Sequence, residues 1–368
     1  MSYIMESNSF KKIKKKEQKL TVCYFGSYDS EFSRNKVYIR GLRENGVQVL
    51  ECNDRSRGFS KYWRLFRKHW LIRNKYNIII VGYPGHIIVP FARLISSKPI
   101  IFDALGTLYE AEIFSHKAGP LKGFKMKCID WLAIKSAHMV LAESEHQRQF
   151  LVHKFGGNQD KFKVLYTGVD DNIFHPDVSV RKESVFTVLF RGRLTPEAGV
   201  SHILLAAEML RHENIHFRII GFGVCKKEIE QQIKDFKLNN VEFISKALSF
   251  EELTQLMNGC HISLGQFEHN DRLKRTIPHK AFESLAMRIP YITGRAEGVQ
   301  EILKDGENCL MVNLANPEDL VEKIILLKNN HILREKLAKN GYFTYQHRFT
   351  PQVLGNQLRQ MCQSFSQK

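Results

Sequence analysis

Short apolar runs, most of them ended by glycine, recur through the first half of the chain. Near-continuous apolar runs of this kind are typical of parallel strands covered on both faces. Segments with apolar residues at helical spacing lie between them, such as 33–46, which stops at Gly46. The alternation predicts a doubly wound α/β domain over residues 20–175. Its predicted strands are at 21–26, 47–53, 77–85, 99–106, 138–144 and 162–170.

The alternation is interrupted at residues 172–184, a polar segment that contains Pro176 and that we interpret as a linker. It then restarts and predicts a second Rossmann-like α/β domain over 185–345. Two such domains predict a ligand cleft between the carboxyl edges of their sheets. A helix is expected within 346–368, and whether it crosses back to the first domain stays open. The second set of predicted strands is at 185–192, 215–223, 241–245, 261–267 and 290–294.

The long apolar stretch at 77–95 is too short and too interrupted to span a bilayer, which takes about 20 apolar residues. Gly, Pro and His break it, and we interpret it as buried strand structure. The N-terminus lacks the apolar segment of a secretory signal. Seven scattered cysteines form no metal-binding spacing and suit reduced thiols. Together these features predict a cytoplasmic protein.

Charge adds a second feature, because the 368-residue chain carries a net +17. A balance this basic predicts an anionic partner. Residues 1–19 form a lysine-rich arm, and residues 61–75 place Trp63, Phe66 and Trp70 beside arginine and lysine. Such a segment is typical of a helix that lies on an anionic membrane, where each basic residue contributes about 1 kcal/mol. A helix packed on the core with a charged outer face is the alternative reading.

Several glycine-bearing turns follow predicted strands. Gly26 ends the first strand, and exposed amides beside it could hold a phosphate at a helix N-terminus. Gly192 is followed by Arg193 at the end of another strand, which suits a diphosphate gripped by bidentate bonds. Gly221 and Gly223 predict a close backbone approach to a nucleoside base. For each, a plain turn or a surface arginine is the competing interpretation.

The stretch "RTIPHKAFESLAMRIPYITG" carries the most specific signal in the sequence. Pro278 suits the first turn of a helix, Lys280 follows it, and Glu283 lies one turn later on nearly the same face. A buried carboxylate needs a partner such as a pair of hydroxyl groups. A lysine for phosphate and a glutamate for ribose would form one nucleotide-diphosphate site. An internal pair between Lys280 and Glu283 is the alternative.

The order "GRL", "PEAG", "GFG" and "PHKAFESLAMRIPYIT" resembles the C-terminal domain of family 4 glycosyltransferases of GT-B fold. The resemblance extends more weakly to the N-terminal half through "FGSYDSEFSRN", "FDALGTLYE" and "TGVDDNIFHP". It implies a nucleotide sugar bound in the second domain, with Arg193 on the diphosphate and Glu283 on the ribose. It also implies retention of anomeric configuration without a metal, and no cofactor.

Two positions depart from the family pattern. The lysine usual before the glycine of "GRLxxxKG" is Ala198, and the first glutamate of the family's E-x7-E pair is Arg275. We infer that Lys280, with Arg275, replaces the missing phosphate ligand. Glu268, on the preceding loop, is a partial substitute for the lost glutamate.

Catalytic groups are harder to locate from the sequence. Asp103, at the end of "PIIFD", is expected to face the cleft and to contact the acceptor or the transferred sugar, with a cap as the alternative. His86 in "YPGH" is a second candidate. No acidic motif typical of a metal site follows a strand in a family-like context.

The leading prediction is a glycosyltransferase that moves a sugar to a lipid-linked or cell-surface glycan precursor. A sugar-nucleotide epimerase of the same fold is the first alternative, and it would need carboxylates and a histidine in the cleft. A basic nucleic-acid-binding protein is the second, but it would need no site of the Arg193–Lys280–Glu283 kind. The incomplete glycine fingerprint disfavours a dehydrogenase.

Overall fold

Two six-stranded parallel sheets, each covered by helices, form the framework of the protein. The structure is a computed structural model that describes residues 20–115 and 119–365. The basic arm expected at 1–19 lies outside the described residues. The two doubly wound domains predicted from the sequence are confirmed.

The first sheet has the spatial order β2-β1-β3-β4-β5-β6, so its strand order reverses between β1 and β3. Its strands are β1 (Thr21–Gly26), β2 (Gln48–Asn53), β3 (Ile78–Val81), β4 (Ile100–Leu105), β5 (Met139–Ala142) and β6 (Phe162–Val164). Its helices are α1 (Ser33–Glu44), α2 (Ser60–Ile72), α3 (Ile88–Ile95), α4 (Leu108–Glu110), α5 (Pro120–Ser136) and α6 (Glu145–Phe155).

The expectation of strand structure throughout 77–95 is wrong for its second half, which is helix α3. Ile88, Val89 and Ala92 are buried, whereas Arg93 and Leu94 are exposed. That spacing is helical, and the turn at Pro84 and Gly85 separates it from β3. Short apolar runs do not distinguish a strand from a buried helix by composition alone.

The second sheet has the order β12-β11-β10-β7-β8-β9 and reverses between β7 and β10. Its strands are β7 (Phe186–Arg191), β8 (Ile215–Ile220), β9 (Val241–Ile244), β10 (Ile262–Leu264), β11 (Tyr291–Gly294) and β12 (Leu310–Val312). The helices are α7 (Val200–Met209), α8 (Lys226–Asp235), α9 (Phe250–Gly259), α10 (His279–Ala286), α11 (Glu297–Gln300), α12 (Pro317–Asn329), α13 (His331–Arg348) and α14 (Pro351–Gln363).

Helix α14 returns to the first domain and packs against α1. The two backbones touch where each helix has a glycine: a Cβ atom built on Gly355 would lie 2.1 Å from the carbonyl carbon of Gly41. A larger residue at either position would push the helices apart. Leu354 and Leu358 then complete the core on that face of the first sheet.

The carboxyl ends of the two sheets face each other across a cleft. Glu301 of the second domain accepts hydrogen bonds from the amides of Glu145 and His146, at 2.8 and 2.9 Å, in the first turn of α6. The rings of Phe32 and His279 lie 5.4 Å apart. The loop that precedes α10 is therefore held against the first domain.

Candidate functional site

Lys280, in the first turn of α10, reaches back to the end of β7. Its Nζ atom lies 3.8 Å from the centroid of the Phe190 ring, and a Cβ atom built on Gly192 would lie 3.0 Å from that nitrogen. Gly192 has φ 152°, so glycine is needed there for conformation as well as for space. Within the described residues the ammonium group makes no hydrogen bond or ion pair.

The charge of Lys280 is poorly compensated in the free protein. Burial and, to a smaller extent, the charge of Arg191 lower the pKa of Lys280 to about 7, while Glu283 and Glu197 oppose that shift. A buried cation without a hydrogen-bonding partner is costly. An anion bound beside Gly192 would remove that cost.

Arg193 follows Gly192 directly and is exposed. Its guanidinium group has no ion pair among the described residues. Burial raises the pKa of the Tyr83 phenol, and the charges of Arg272 and Arg193 oppose this rise, so Arg193 lies near the first domain across the cleft. Lys280 and Arg193, which have no ion pair in the part of the chain that the structure describes, therefore both lie at the end of β7, an arrangement that suits a diphosphate.

Glu283 is buried one turn after Lys280, and its partner is an arginine that the sequence analysis did not single out. Its Oε1 atom accepts a hydrogen bond from Nη1 of Arg191. Its Oε2 atom is buried and has no hydrogen-bond partner. Glu283 therefore has one oxygen, Oε2, that can still accept a hydrogen bond from a hydroxyl group of a ligand.

Gly221 and Gly223 serve a close approach, but it is to another loop of the protein. A Cβ atom on Gly221 would lie 2.0 Å from the carbonyl oxygen of Gly192, and one on Gly223 would lie 2.3 Å from that of Leu194. Leu194 also donates to the carbonyl of Phe222 at 2.9 Å. These glycines brace the loop that carries Arg193, which accounts for both of them without a ligand, and their contact with a nucleoside base stays a prediction.

Gly26 lies where the first sheet reverses its strand order, and its surroundings are filled by the protein. A Cβ atom there would lie 3.5 Å from the ring of Tyr28, and its carbonyl accepts from the amide of Asp54. The contacts around Gly26 are those of a tight buried turn, so the structure offers no support for a phosphate contact at this residue.

Asp103 does not face the cleft, which corrects its assignment as a catalytic group. Its side chain is fully buried and forms an ion pair with Arg34, with 2.7 Å between Nε and Oδ1. Burial raises the pKa of Asp103, and Arg34 opposes that shift. The pair joins β4 to α1 and has no surface that a substrate could reach.

His86 is likewise buried, so its assignment as a catalytic group is also corrected. Its Nε2 atom lies 3.1 Å from the carbonyl oxygen of Gly106 and its ring packs on Phe102. Burial lowers the pKa of His86 to about 4, which keeps the ring neutral. The histidine supports the turn after β4.

Arg275 contacts the other domain and not the end of β7, which corrects its assignment to the diphosphate. Its Nε atom donates to Oε1 of Glu110 at 2.9 Å, and its guanidinium carbon lies 4.4 Å from the centre of the Phe150 ring. Its carbonyl accepts a hydrogen bond from Ser144. A glutamate at this position would face Glu110, so the change from the family residue fits this contact.

Ala198 and Glu268 mark the other family departures. Ala198 is fully buried in the core of the second domain, so Lys280 supplies the cation near Gly192 from a different element. Glu268 lies 3.2 Å from Nε2 of His202, beside the turn at Gly199. Among the described residues no group of three or more His, Cys, Asp or Glu could hold a metal ion.

Sequence reasoning missed Phe190, Arg191 and Tyr83. The first two belong to the strand that ends at Gly192, and the run of two arginines around that glycine was an available signal. Tyr83 gave no local signal, because its nearness to Arg193 depends on how the domains meet.

Two family models match consecutive parts of the chain. The model for glycosyltransferase family 4 matches residues 14–173, and that for glycosyl transferases group 1 matches residues 171–343. The uncharacterized glycosyltransferase MJ1178 of Methanocaldococcus jannaschii is 30% identical over 48% of this chain, a match that spans only 47% of that relative. The capsular polysaccharide biosynthesis glycosyltransferase CapM of Staphylococcus aureus is 21% identical over 78% of this chain and 77% of its own length.

Solved structures support the fold. The crystal structure of Anabaena Alr3699/HepE in complex with UDP-glucose matches with a TM-score of 0.73 and 16% identity, covering 94% of this chain and all of that one. At this identity the likeness shows the architecture alone. The two family models, which between them match residues 14–343, show that the protein belongs to the family 4 glycosyltransferases, and the solved structures agree with the GT-B fold.

Proposed function

We propose that the protein transfers a sugar from a nucleotide-sugar donor, bound in the second domain, to a lipid-linked or cell-surface glycan precursor. One observation carries the proposal: Lys280 is buried with its ammonium group against Gly192, and within residues 20–115 and 119–365 neither it nor the adjacent Arg193 has an ion-pair partner. Similar proteins support the donor class, since Anabaena Alr3699/HepE was crystallised with UDP and with UDP-glucose.

In the proposed complex the donor diphosphate lies at the end of β7. Lys280 and Arg193 neutralise the negative charge that builds on the diphosphate as the bond to the sugar breaks. Because Lys280 is buried and packed against Phe190 before the donor arrives, its ammonium group needs little reorganisation during the reaction. These two residues would supply the charge compensation that other transferases obtain from a metal, and we propose a metal-independent reaction.

The free Oε2 atom of Glu283 is proposed to accept hydrogen bonds from the ribose hydroxyl groups. Arg191 holds the other carboxylate oxygen and thereby fixes the orientation of the group. A buried acceptor that lacks a partner favours ligands that donate hydrogen bonds. This contact would select a ribonucleotide without specifying the base.

We further propose that the anomeric configuration is retained. Asp103 and His86 are buried away from the cleft, so neither is placed as a base behind the sugar. The acceptor hydroxyl would form its bond to the anomeric carbon on the face that the diphosphate leaves. Its proton would pass to an oxygen of the departing diphosphate.

The epimerase alternative requires catalytic carboxylates and a histidine in the cleft. The two groups that the sequence singled out for this role, Asp103 and His86, are buried and engaged by Arg34 and Gly106, so neither of them serves it. The proposed acceptor on a lipid also gives a role to residues 61–75, through which we propose contact with an anionic membrane.

A thermal-shift panel of nucleoside diphosphates and their sugars, each with and without EDTA, tests the proposal. Binding to the native state raises the melting temperature. We expect at least one nucleoside diphosphate to stabilise the parent protein, with EDTA having no effect, and to leave Lys280→Met unchanged. If no nucleotide stabilises the parent, or if Lys280→Met responds like it, the assignment of the donor site is wrong.

A further inference from the structure

More than half of the large exposed apolar side chains in the described residues lie between Phe59 and Leu132. They belong mainly to α2, α3 and α5. On α2, Trp63 and Trp70 are 63% and 52% exposed, and on α5 Trp131 is 50% exposed. Large apolar groups that cluster on a surface mark a contact with a partner or a membrane.

The three helices lie side by side on one face of the first sheet. Leu65 of α2, Ala92 of α3 and Ala133 of α5 share one core beneath them. The rings of Tyr62 and Phe91 join α2 to α3 at 5.2 Å, and α3 packs directly on α5. Their outer faces therefore form one continuous surface, which also exposes Leu94 on α3 and Leu121 and Phe124 on α5.

The charge of this surface is predominantly positive. Within these three helices, all of which the structure describes, the one acidic residue is Asp130, and it is buried where it accepts the amides of Leu108 and Tyr109. By contrast, α1 on the opposite face pairs Arg40 with Glu44 at 2.6 Å. Two of the basic residues are paired with acids of adjacent segments, Lys68 with Asp54 at 3.2 Å and Lys122 with Glu112 at 2.7 Å. The remaining exposed lysines and arginines on α2, α3 and α5 surround the apolar groups.

We propose that the outer faces of α2, α3 and α5 together seat the first domain on an anionic lipid bilayer. Interfacial surfaces combine tryptophan and other apolar groups with lysine and arginine in this way. Two copies of a predominantly positive face would repel each other, which disfavours self-association. The exposed apolar groups on all three helices distinguish the surface from a purely electrostatic nucleic-acid site.

This surface extends the contact proposed for residues 61–75 to the edge of the cleft. Helix α5 packs on α4, whose Glu110 holds Arg275 of the second domain. Helix α5 therefore lies close to the contact between the two domains. The significance of this position rests on the proposed function, because a lipid-linked acceptor would enter the cleft near α5. Seating on the bilayer is a separate property of the helices.

All three tryptophans of the chain lie on this surface, so they report its contact with lipid directly. Vesicles of phosphatidylglycerol with phosphatidylcholine should shift their emission to the blue, and brominated lipid should quench it. In Trp63→Phe/Trp70→Phe only Trp131 emits, and quenching there tests α5 alone. If Trp131 stays unquenched while the parent is quenched, the three-helix surface is wrong.

Paired substitutions measure each part of the surface by co-sedimentation with the same vesicles. Trp63→Ser/Trp70→Ser and Leu121→Ser/Phe124→Ser should each weaken binding by about tenfold, since each pair removes exposed apolar area that the bilayer would bury. Ile332→Ser/Phe343→Ser, which alters exposed apolar residues of the second domain, should bind like the parent. Equal loss in this control overturns the proposal.

The choice of occupant is tested in parallel. Binding to phosphatidylcholine alone as tight as to the mixed vesicles, tighter binding to duplex DNA than to vesicles, or a dimer that the surface pairs abolish would each overturn the bilayer assignment. Nucleotide-induced thermal stabilisation should be the same in the surface variants and the parent. A protein that binds vesicles but no nucleotide would refute the proposed function and leave this one standing.

Discussion

The two domains have similar six-stranded sheets, but they differ in what occupies the space where the strand order reverses. In the first domain the space between β1 and β3 is filled: a Cβ atom on Gly82 would lie 2.4 Å from the ring of Tyr24, and Asn35 bonds both Tyr24 and Tyr83. In the second domain the corresponding space is approached by Lys280, whose ammonium group has no hydrogen-bonding partner among the described residues.

This difference separates the fold from the site. A doubly wound sheet offers a ligand position wherever its strand order reverses, but side chains of the protein can occupy it. Arg34 and Asp103 neutralise each other inside the first domain. Lys280 and Arg193 stay without anionic partners in the described part of the second. We expect charge in the first domain to serve stability and charge in the second to serve binding.

The largest effect is expected from breaking the buried pair of the first domain. Arg34→Met leaves the Asp103 carboxylate without compensation and should lower the free energy of unfolding by about 3–5 kcal/mol. Urea unfolding followed by tryptophan fluorescence, which reports on the first domain, measures this. Arg43→Met, which removes an exposed pair from the same helix, should cost under about 1 kcal/mol. Equal losses would refute the structural role of Arg34.

The second effect is on binding. Lys280→Met should lower the affinity for UDP or GDP, whichever binds the parent, by about 10- to 100-fold, because a charge-assisted hydrogen bond contributes about 1.5–3 kcal/mol. Its melting temperature should not fall, since a buried unpaired cation is removed. Calorimetry gives both the affinity and the stoichiometry. Lys274→Met, on the exposed loop before α10, is the control and should bind normally.

Glu283→Gln tests the ribose contact with a smaller expected loss of about tenfold. The substitution keeps the shape of the side chain and removes its charge. A 2′,3′-dideoxynucleotide should bind the parent more weakly than the ribonucleotide does. Glu283→Gln should lower the affinity for the dideoxynucleotide little further. If the dideoxy ligand loses as much again in Glu283→Gln, the carboxylate and the ribose hydroxyls act independently, and the proposed contact is wrong.

The smallest effect is a pH dependence of nucleotide affinity. The pKa of Lys280 is about 7 in the free protein, and a bound diphosphate would raise it. Binding above pH 7 therefore takes up a proton, and the affinity should fall as pH rises, by at most about tenfold per unit. Calorimetry in buffers of different ionisation enthalpy counts that proton. Lys280→Met should lack this uptake, and an uptake that persists there would assign it elsewhere.

The sequence predicted what local pattern controls. Strands of the doubly wound domains are continuous apolar runs, and the neighbourhood of Lys280 and Glu283 follows from their spacing on one helix. It did not predict the fate of Asp103, because its partner Arg34 lies 69 positions away. It likewise missed the contact of Arg275 with Glu110, 165 positions away, which depends on how the domains meet.

The return of α14 to α1 has a consequence for the order in which the protein is made. Residues 351–363 complete the core beneath the first sheet, although more than 180 residues separate them from β6. The first domain therefore cannot finish folding when its own strands leave the ribosome, as an independent N-terminal domain would. The face of the sheet that α14 covers stays exposed until the second domain has been synthesised. A fragment that ends at the linker would lack the part of the first domain's core that α14 supplies.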